Sequence, residues 1–308
     1  MTKTAFLFSG QGAQKLGMAR DLYDQYETVK ATFDEASQAL GYDLRALIDN
    51  DEEKLNETKY TQPAILITSV AILRLLSENG IKPDLVAGLS LGEYSALVAS
   101  GIIDFQEAVK LVAKRGQYMT EAAPTGSGKM VAVMNTDPAL IEEICQKAAE
   151  FKGGIVSPAN YNTPAQIVIG GEVEAVDYAV ELLKEAGVRK LIELKVSGPF
   201  HTAILKPASE KLALELDKID FRPFELPLIS NTSAKVMEND EVKGLLTRQV
   251  MEPVRFYESV ETMQKLGATR FIEVGPGRVL SGFIKKIDKN AEIANVENLA
   301  SFEALINQ

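Results

Sequence analysis

The sequence predicts an α/β protein: a larger unit built on a mostly parallel sheet, with a smaller unit inserted into it. Short apolar runs typical of buried strands alternate with longer segments of helical spacing, and several runs end in glycine turns. Strands that alternate with helices favour a parallel sheet covered on both faces. The runs assigned to this sheet are Thr4–Phe8, Leu85–Ala87, Leu226–Ile229 and Phe271–Val274.

The inserted segment, residues 127–196, has the order strand–helix–strand–strand–helix–strand, which is the ferredoxin-like, split-βαβ pattern. Asp137 is a predicted N-cap followed by Pro138 at the first helical position. The predicted strands are Met130–Met134, Ile155–Ala159, Gln166–Ile169 and Leu191–Val196, and the second helix covers Glu172–Ala186. Glycines at both ends are natural hinges. We therefore expect a larger α/β domain of residues 1–126 and 197–308 and a ferredoxin-like subdomain of residues 127–196.

Composition and charge exclude several classes of protein. The 308 residues correspond to about two folding units, and 46% hydrophobic with 25% charged residues is ordinary globular usage. The net charge of −10 repels a nucleic-acid backbone, so no nucleic-acid partner is expected. A single cysteine excludes an internal disulfide, and a single histidine excludes a metal site built on several imidazoles. No metal site is predicted.

The most apolar stretch, Pro63–Leu76, is interpreted as a buried helix and not as a membrane span. Thr68, Ser69 and Arg74 interrupt it, and it is shorter than the roughly 18 continuous apolar residues that a span requires. The N-terminus has too short an apolar run for a signal peptide. A cytoplasmic protein without membrane contact is therefore expected. Cys145 falls on the apolar face of its helix and is interpreted as a core residue.

The strongest local signal is Gly88-Leu89-Ser90-Leu91-Gly92, a G-x-S-x-G nucleophile elbow between a short strand and a predicted helix. The turn is so tight that side chains two residues before and after the serine would collide with it. It raises the serine hydroxyl above a helix N-terminus, where a developing negative charge is favoured. The alternative is an ordinary glycine-flanked turn. The strand–turn–helix context favours the elbow, and with it an α/β-hydrolase-like larger domain.

A serine hydroxyl is a weak nucleophile until a base removes its proton. The only imidazole belongs to His201, which lies in a predicted loop after the last strand of the smaller unit. A lone histidine is more often a satisfied structural residue, but the elbow requires a base, and His201 is the candidate. A buried Asp or Glu normally orients such an imidazole, but none can be chosen from the sequence, and a backbone carbonyl could serve instead.

Two backbone amides are candidates for an oxyanion hole. Gln11 lies between glycines in the loop after the first strand, and Leu91 directly follows the elbow serine. On spacing alone the Gln11 loop is equally consistent with a flexible turn. Arg115 lies on a largely apolar helix that begins near Asp104. Taken alone it is either a surface residue or a buried cation that awaits an anion.

Six segments in register resemble the malonyl-CoA:acyl carrier protein transacylases, whose fold also forms the acyltransferase domains of fatty acid and polyketide synthases. They are FSGQGAQ, TQPAI, GLSLGEYSAL, KRGQYM, GPFH and EVGPGRVL, and the resemblance runs from Phe8 to about Lys286. One position departs from the usual motif, because Leu89 stands where a histidine commonly precedes the nucleophile. Any hydrogen bond made by that histidine is absent here.

The resemblance implies a role for each matching residue. Ser90 is the acylated nucleophile, His201 its base and acid, and the Gln11 and Leu91 amides form the oxyanion hole. Gln249 orients His201 through its main-chain carbonyl, and Arg115 receives the free carboxylate of the malonyl group, a pairing that guanidinium geometry favours. The remaining implied substrate-binding residues are Phe200, Met119, Asn160, Asn162 and Asn231, with Phe200 crowding an extra α-methyl group and the asparagines lining the pantetheine channel.

The implied reaction is ping-pong malonyl transfer from malonyl-CoA to the phosphopantetheine thiol of acyl carrier protein, which supplies fatty acid synthesis without a cofactor. The acyltransferase of a polyketide pathway is one alternative. A serine thioesterase or esterase on the same elbow is another, and Arg115 argues against it because general ester hydrolysis needs no buried cation. A non-enzymatic docking module would not need Ser90, His201 and Arg115 together.

Overall fold

The computed structural model describes residues 2–307 as a mixed α/β fold with one parallel and one antiparallel sheet. The parallel sheet has the order β2-β1-β7-β8. Its strands are β1 (Lys3–Phe8), β2 (Leu85–Gly88), β7 (Ala268–Val274) and β8 (Glu292–Val296). The predicted strands at positions 4–8, 85–87 and 271–274 are confirmed.

Two details of this sheet differ from the prediction. The run Leu226–Ile229 forms no strand of its own, although Leu228 makes a parallel bridge to Val86 beside β2. Strand β8 was not predicted, because its sequence Glu-Ile-Ala-Asn-Val is short, contains two polar residues and is mostly only partly buried at the sheet edge. An edge strand buries little surface and carries a weak apolar signal.

The antiparallel sheet has the order β4-β5-β3-β6. Its strands are β3 (Lys129–Met134), β4 (Val156–Thr163), β5 (Gln166–Gly171) and β6 (Leu191–Glu193). Two helices cover one face, α8 (Pro138–Lys152) and α9 (Val173–Glu185), and Asp137 caps α8 by accepting from the Ala139 amide at 2.8 Å. The predicted strand order along the chain is confirmed, whereas the last strand ends at Glu193 and not at Val196.

Helices cover both faces of the parallel sheet. The N-terminal part contains α1 (Arg20–Gln25), α2 (Glu27–Leu40), α3 (Leu44–Asn50), α4 (Glu52–Leu55), α5 (Thr58–Glu78), α6 (Leu91–Ala99) and α7 (Phe105–Ala122). The C-terminal part contains α10 (Lys206–Leu216), α11 (Val242–Gln249), α12 (Phe256–Lys265), α13 (Val279–Ile287) and α14 (Leu299–Ile306). These helices place their apolar faces in two cores, one on each side of the sheet.

Helix α5 lies at the centre of the larger core, packed against α2, α6 and α7. It is the one helix in the described chain that is long and apolar enough to cross a membrane, and 83% of its most apolar window is buried. The interpretation of this stretch as a core helix is confirmed. Cys145 is buried in the core beneath the antiparallel sheet, as predicted.

Candidate active site

The elbow around Ser90 joins the end of β2 to the start of α6. Ser90 has φ 54° and ψ −106°, a positive-φ conformation that costs a non-glycine residue about 1–3 kcal/mol. A Cβ on Gly88 would lie 2.0 Å from the Gly92 carbonyl carbon, and one on Gly92 would lie 2.0 Å from the Phe8 carbonyl oxygen. Both positions therefore require glycine, as the elbow motif indicates.

Asn231 holds this strained turn from behind. Its Oδ1 accepts a hydrogen bond from the Ser90 amide at 2.7 Å, and its Nδ2 donates to the Gly88 carbonyl at 2.6 Å. The side chain is buried. These contacts engage the polar atoms of Asn231 with the elbow backbone, and its role in lining the pantetheine channel stays a prediction.

His201 lies against Ser90, with 2.8 Å between its Nε2 and the serine Oγ. On the other side, its Nδ1 lies 2.7 Å from the Gln249 carbonyl oxygen. A carbonyl can only accept, so Nδ1 carries the proton and Nε2 has a free lone pair directed at the hydroxyl. Burial, followed by the charge of Arg115, lowers the pKa of His201 to about 4. The imidazole is therefore neutral at pH 7, as a general base must be.

Arg115 is buried on α7, with a relative exposure of 1%, and its guanidinium faces the same serine. Nη2 lies 3.2 Å from Ser90 Oγ and 2.9 Å from Gln249 Oε1, and Nη1 lies 2.8 Å from Gln62 Oε1. Burial lowers the pKa of Arg115, yet a guanidinium stays protonated in proteins. Because both amide partners are neutral, the cation has no anion in direct contact within residues 2–307, and an acyl carboxylate would supply one.

Behind the guanidinium, the Gln249 amide separates Arg115 from the buried carboxylate of Glu93. Gln249 Nε2 donates to Glu93 Oε2 at 2.6 Å and to the Ser90 carbonyl at 2.9 Å. Burial raises the pKa of Glu93 to about 7, and the hydrogen bonds and the Arg115 charge oppose that rise. Gln249 thus contacts the nucleophile, the base and the cation at once.

The candidate oxyanion hole lies where the loop after β1 meets the elbow. A Cβ on Gly10 would lie 2.4 Å from the Leu89 carbonyl oxygen, so the loop packs directly on the turn. The side chain of Gln11 donates to Thr58 Oγ1 at 3.0 Å. Across residues 2–307, the backbone amides of Gln11 and Leu91 have no hydrogen-bond acceptor. Both donors are available, as an oxyanion hole requires.

None of the other predicted substrate-binding side chains forms a hydrogen bond with the side chain of Ser90, His201 or Arg115 within residues 2–307. Phe200 packs between the larger core and the open face of the antiparallel sheet, beside a pocket of about 170 Å³. Met119 is buried, and its sulfur accepts from Gln62 at 3.3 Å. Asn160 and Asn162 lie on β4, and no contact recorded for residues 2–307 joins either side chain to Ser90, His201 or Arg115.

Sequence reasoning assigned no role to two residues that complete the centre, Gln62 and Glu93. Both lie in segments that carry the family resemblance, TQPAI and GLSLGEYSAL. A carboxylate three residues after the nucleophile, on an otherwise apolar helix, is the signal that could have identified Glu93. The described chain contains no group of three or more His, Cys, Asp or Glu side chains arranged to hold a metal ion.

Comparison with known proteins identifies the family of this chain. The model of the acyl transferase domain family matches residues 5–302. A protein of Bacillus subtilis named malonyl CoA-acyl carrier protein transacylase is 46% identical over 308 residues, which cover 99% of this chain and 97% of the relative. The crystal structure of MCAT from Streptococcus pneumoniae is 67% identical, with a TM-score of 0.97 and 99% of each chain covered.

A third similar protein was solved together with a carrier protein. It is the malonyl-transacylase PlMCAT in complex with AntF, a type II PKS acyl-carrier protein; it is 44% identical, with a TM-score of 0.95 and 99% of each chain covered. The identity and coverage of these relatives far exceed what fold similarity alone produces. The chain belongs to the acyl transferase family, among the malonyl-CoA:acyl carrier protein transacylases.

Proposed function

We propose that this chain transfers the malonyl group of malonyl-CoA to the phosphopantetheine thiol of acyl carrier protein through a malonyl-Ser90 intermediate, and thereby supplies fatty acid synthesis. The observation that supports the proposal is that a base and a cation both lie next to the hydroxyl of Ser90. Ser90 Oγ lies within hydrogen-bond reach of a neutral imidazole and of a buried guanidinium. The first suits a base, and the second suits an acyl group with a free carboxylate.

In the first half-reaction, His201 Nε2 takes the Ser90 proton while Oγ attacks the thioester carbonyl. The carbonyl oxygen becomes an oxyanion, which the Gln11 and Leu91 amides stabilise. When the C–S bond breaks, the imidazolium returns its proton to the departing CoA thiolate. In the second half-reaction, His201 takes the carrier thiol proton, sulfur attacks malonyl-Ser90, and the serine is reprotonated.

Selection of malonyl groups is assigned to Arg115 and Phe200. Two amide oxygens already hold the guanidinium of Arg115 in place. The entropic cost of ordering this side chain when a carboxylate binds beside Ser90 is therefore small. The family resemblance assigns to the ring of Phe200 the crowding of an α-methyl substituent, and the ring borders a pocket of about 170 Å³. Asn160 and Asn162, on β4 of the smaller unit, are proposed to line the pantetheine channel.

We also propose that residues 127–196 form a ferredoxin-like subdomain and that residues 1–126 and 197–308 form an α/β-hydrolase-like catalytic domain. The order β6-β3-β5-β4, with antiparallel neighbours throughout, supports the first assignment. The elbow at the carboxyl end of a parallel strand supports the second. Separate apolar cores in the two segments support the boundary between them.

The test is the intact mass of the protein after incubation with malonyl-CoA, followed by peptide mapping. We expect one malonyl adduct, on the Ser90 peptide, absent from Ser90→Ala and discharged by holo acyl carrier protein. Accumulation of free malonate without an acceptor would favour the thioesterase alternative. A polyketide role remains the second candidate because PlMCAT was solved with a type II PKS carrier, and rates with fatty acid and polyketide carriers distinguish the two.

A further inference from the structure

Glu93 is a buried carboxylate for which the proposed chemistry has no use. It lies one helical turn after the nucleophile and is 0% exposed. Its Oε1 accepts a hydrogen bond from the backbone N–H of Asn231 at 3.0 Å, and its Oε2 accepts one from the side-chain Nε2 of Gln249 at 2.6 Å. Both oxygens therefore face N–H donors, and neither contacts Ser90 Oγ or the guanidinium of Arg115.

An ionised carboxylate is an acceptor only, and this property fixes the neighbouring amide. With Glu93 on one side, the nitrogen of the Gln249 amide must face the carboxylate, so its oxygen faces Arg115 Nη2. The opposite orientation would set an amide NH₂ group against guanidinium N–H donors and an amide oxygen against a carboxylate. Glu93, together with the Ser90 carbonyl that accepts from the same Nε2, thus fixes which end of the Gln249 side chain Arg115 meets.

From this geometry we propose that Glu93 is a positioning residue, which locks the Gln249 amide and thereby holds Arg115 ready for an acyl carboxylate. The inference rests on the proposed function of Arg115. The Gln249 amide lies between the Arg115 guanidinium and the Glu93 carboxylate. The guanidinium is therefore held by neutral amide oxygens, and its positive charge stays available for the carboxylate of the substrate. A carboxylate in direct contact would neutralise the guanidinium.

The direction of a pH effect follows from the same contacts. The ionised Glu93 accepts from the Asn231 backbone, the Gln249 amide and the Ser230 side chain, and protonation removes one of its acceptor sites. The hold on Gln249 should therefore loosen as pH falls through the Glu93 pKa of about 7. The other titratable groups around it do not change charge in this range. Arg115 stays cationic, Tyr94 has a pKa raised to about 12, and His201 has a pKa lowered to about 4.

The test compares Glu93→Gln with a matched control, Glu273→Gln. Glu273 is also a buried carboxylate that accepts two backbone N–H groups, from Leu280 at 3.1 Å and Ser281 at 2.7 Å, at the start of α13. The readout is CoA release during Ser90 acylation by malonyl-CoA and by acetyl-CoA, together with the melting temperature. This half-reaction is common to a transferase and a hydrolase, so the inference and the proposed function can fail separately.

We expect the malonyl-to-acetyl ratio of kcat/KM to fall about 10- to 100-fold in Glu93→Gln, the effect of losing a hydrogen bond to a charged group. The ratio should stay unchanged in Glu273→Gln, although both variants should melt at lower temperature. In the wild type the ratio should decline as pH falls through about 7, and in Glu93→Gln it should be independent of pH.

Two results would overturn the inference. One is a parallel loss of both acylation rates in Glu93→Gln with an unchanged ratio, which is what a merely structural role produces. The other is a wild-type ratio that does not vary with pH around 7. The second measurement needs no variant, so it decides the matter even if Glu93→Gln does not fold.

Discussion

Arg115→Ala is the substitution that most directly tests how this site selects its acyl group. Malonyl and acetyl groups differ by one carboxylate, and the buried guanidinium 3.2 Å from Ser90 Oγ is the cation in position to meet it. Truncation of one partner of a buried charge pair costs about 2–5 kcal/mol, so malonyl transfer should fall roughly 30- to several-thousand-fold.

Acetyl transfer should hold or rise in the same variant. An acetyl group leaves the wild-type guanidinium buried without an anion, and removal of the cation removes that penalty. The substitution also leaves the amide oxygens of Gln62 and Gln249 without their donor, which costs about 1–3 kcal/mol of stability for each. Arg115→Lys should recover part of the malonyl activity, because one ammonium cannot bond both amides and a carboxylate in the planar arrangement of a guanidinium.

The measurement is the ratio of kcat/KM for malonyl-CoA and acetyl-CoA in wild type, Arg115→Ala and Arg115→Lys. Arg45→Ala is the matched control, because Arg45 is also buried but bonds Asp49 and the Met18 carbonyl, outside the candidate site. That control should lower the melting temperature and leave the ratio unchanged. A parallel decline of both substrates in Arg115→Ala would mean that the residue supports the fold and that the carboxylate is recognised elsewhere.

Three further predictions concern the base, the elbow and the carrier protein. His201→Ala should abolish Ser90 acylation, and the wild-type rate with acetyl-CoA should fall at acid pH with a midpoint near 4, far below the usual 6.5; a midpoint at 6.5 would contradict the buried, neutral imidazole. Asn231→Ala should lower the melting temperature and both acylation rates to the same degree, because it frees two backbone groups of the elbow; a change in the malonyl-to-acetyl ratio would contradict this. Charge reversal at the exposed Lys285 and Lys286 should raise the KM for an acidic carrier protein and spare that for malonyl-CoA, since a chain of charge −10 needs a local basic patch to dock such a partner; an unchanged KM for the carrier would remove the pair from the interface.

The parts of the site that could be predicted from sequence are those governed by local rules. The elbow is local, since Gly88 and Gly92 are required by contacts within a few residues of Ser90 and with the adjacent strand. His201 could be identified because it is the only imidazole in the chain. The role of Gln249 was inferred from the family resemblance alone. A main-chain carbonyl that orients a histidine 48 residues away cannot be recognised from composition or periodicity.

The parts that sequence reasoning missed depend on contacts between distant segments. The place of Glu93 in the site depends on hydrogen bonds to residues 138 and 156 positions away in the sequence. That of Gln62 depends on a hydrogen bond to an arginine 53 positions away. Asn231 is a residue that was assigned to the site from sequence but whose contacts could not be predicted. Its segment could be assigned to the site, but only the folded chain shows that its side chain bonds the backbone of the elbow.

The guanidinium that we propose to bind the malonyl carboxylate also affects the pKa of the base. After burial, the charge of Arg115 is the second cause that lowers the pKa of His201. A malonyl carboxylate paired with Arg115 neutralises that charge, so the imidazole should become more basic when the correct acyl group is bound. In Glu93→Gln, which removes the separate ionisation of Glu93 near pH 7, the acid limb of kcat with malonyl-CoA reports the enzyme–substrate complex. It should therefore lie at higher pH than the acid limb of kcat/KM, which reports the free enzyme. For acetyl-CoA the two limbs should coincide, and an equal separation with both substrates would show that the carboxylate does not act on the base through Arg115.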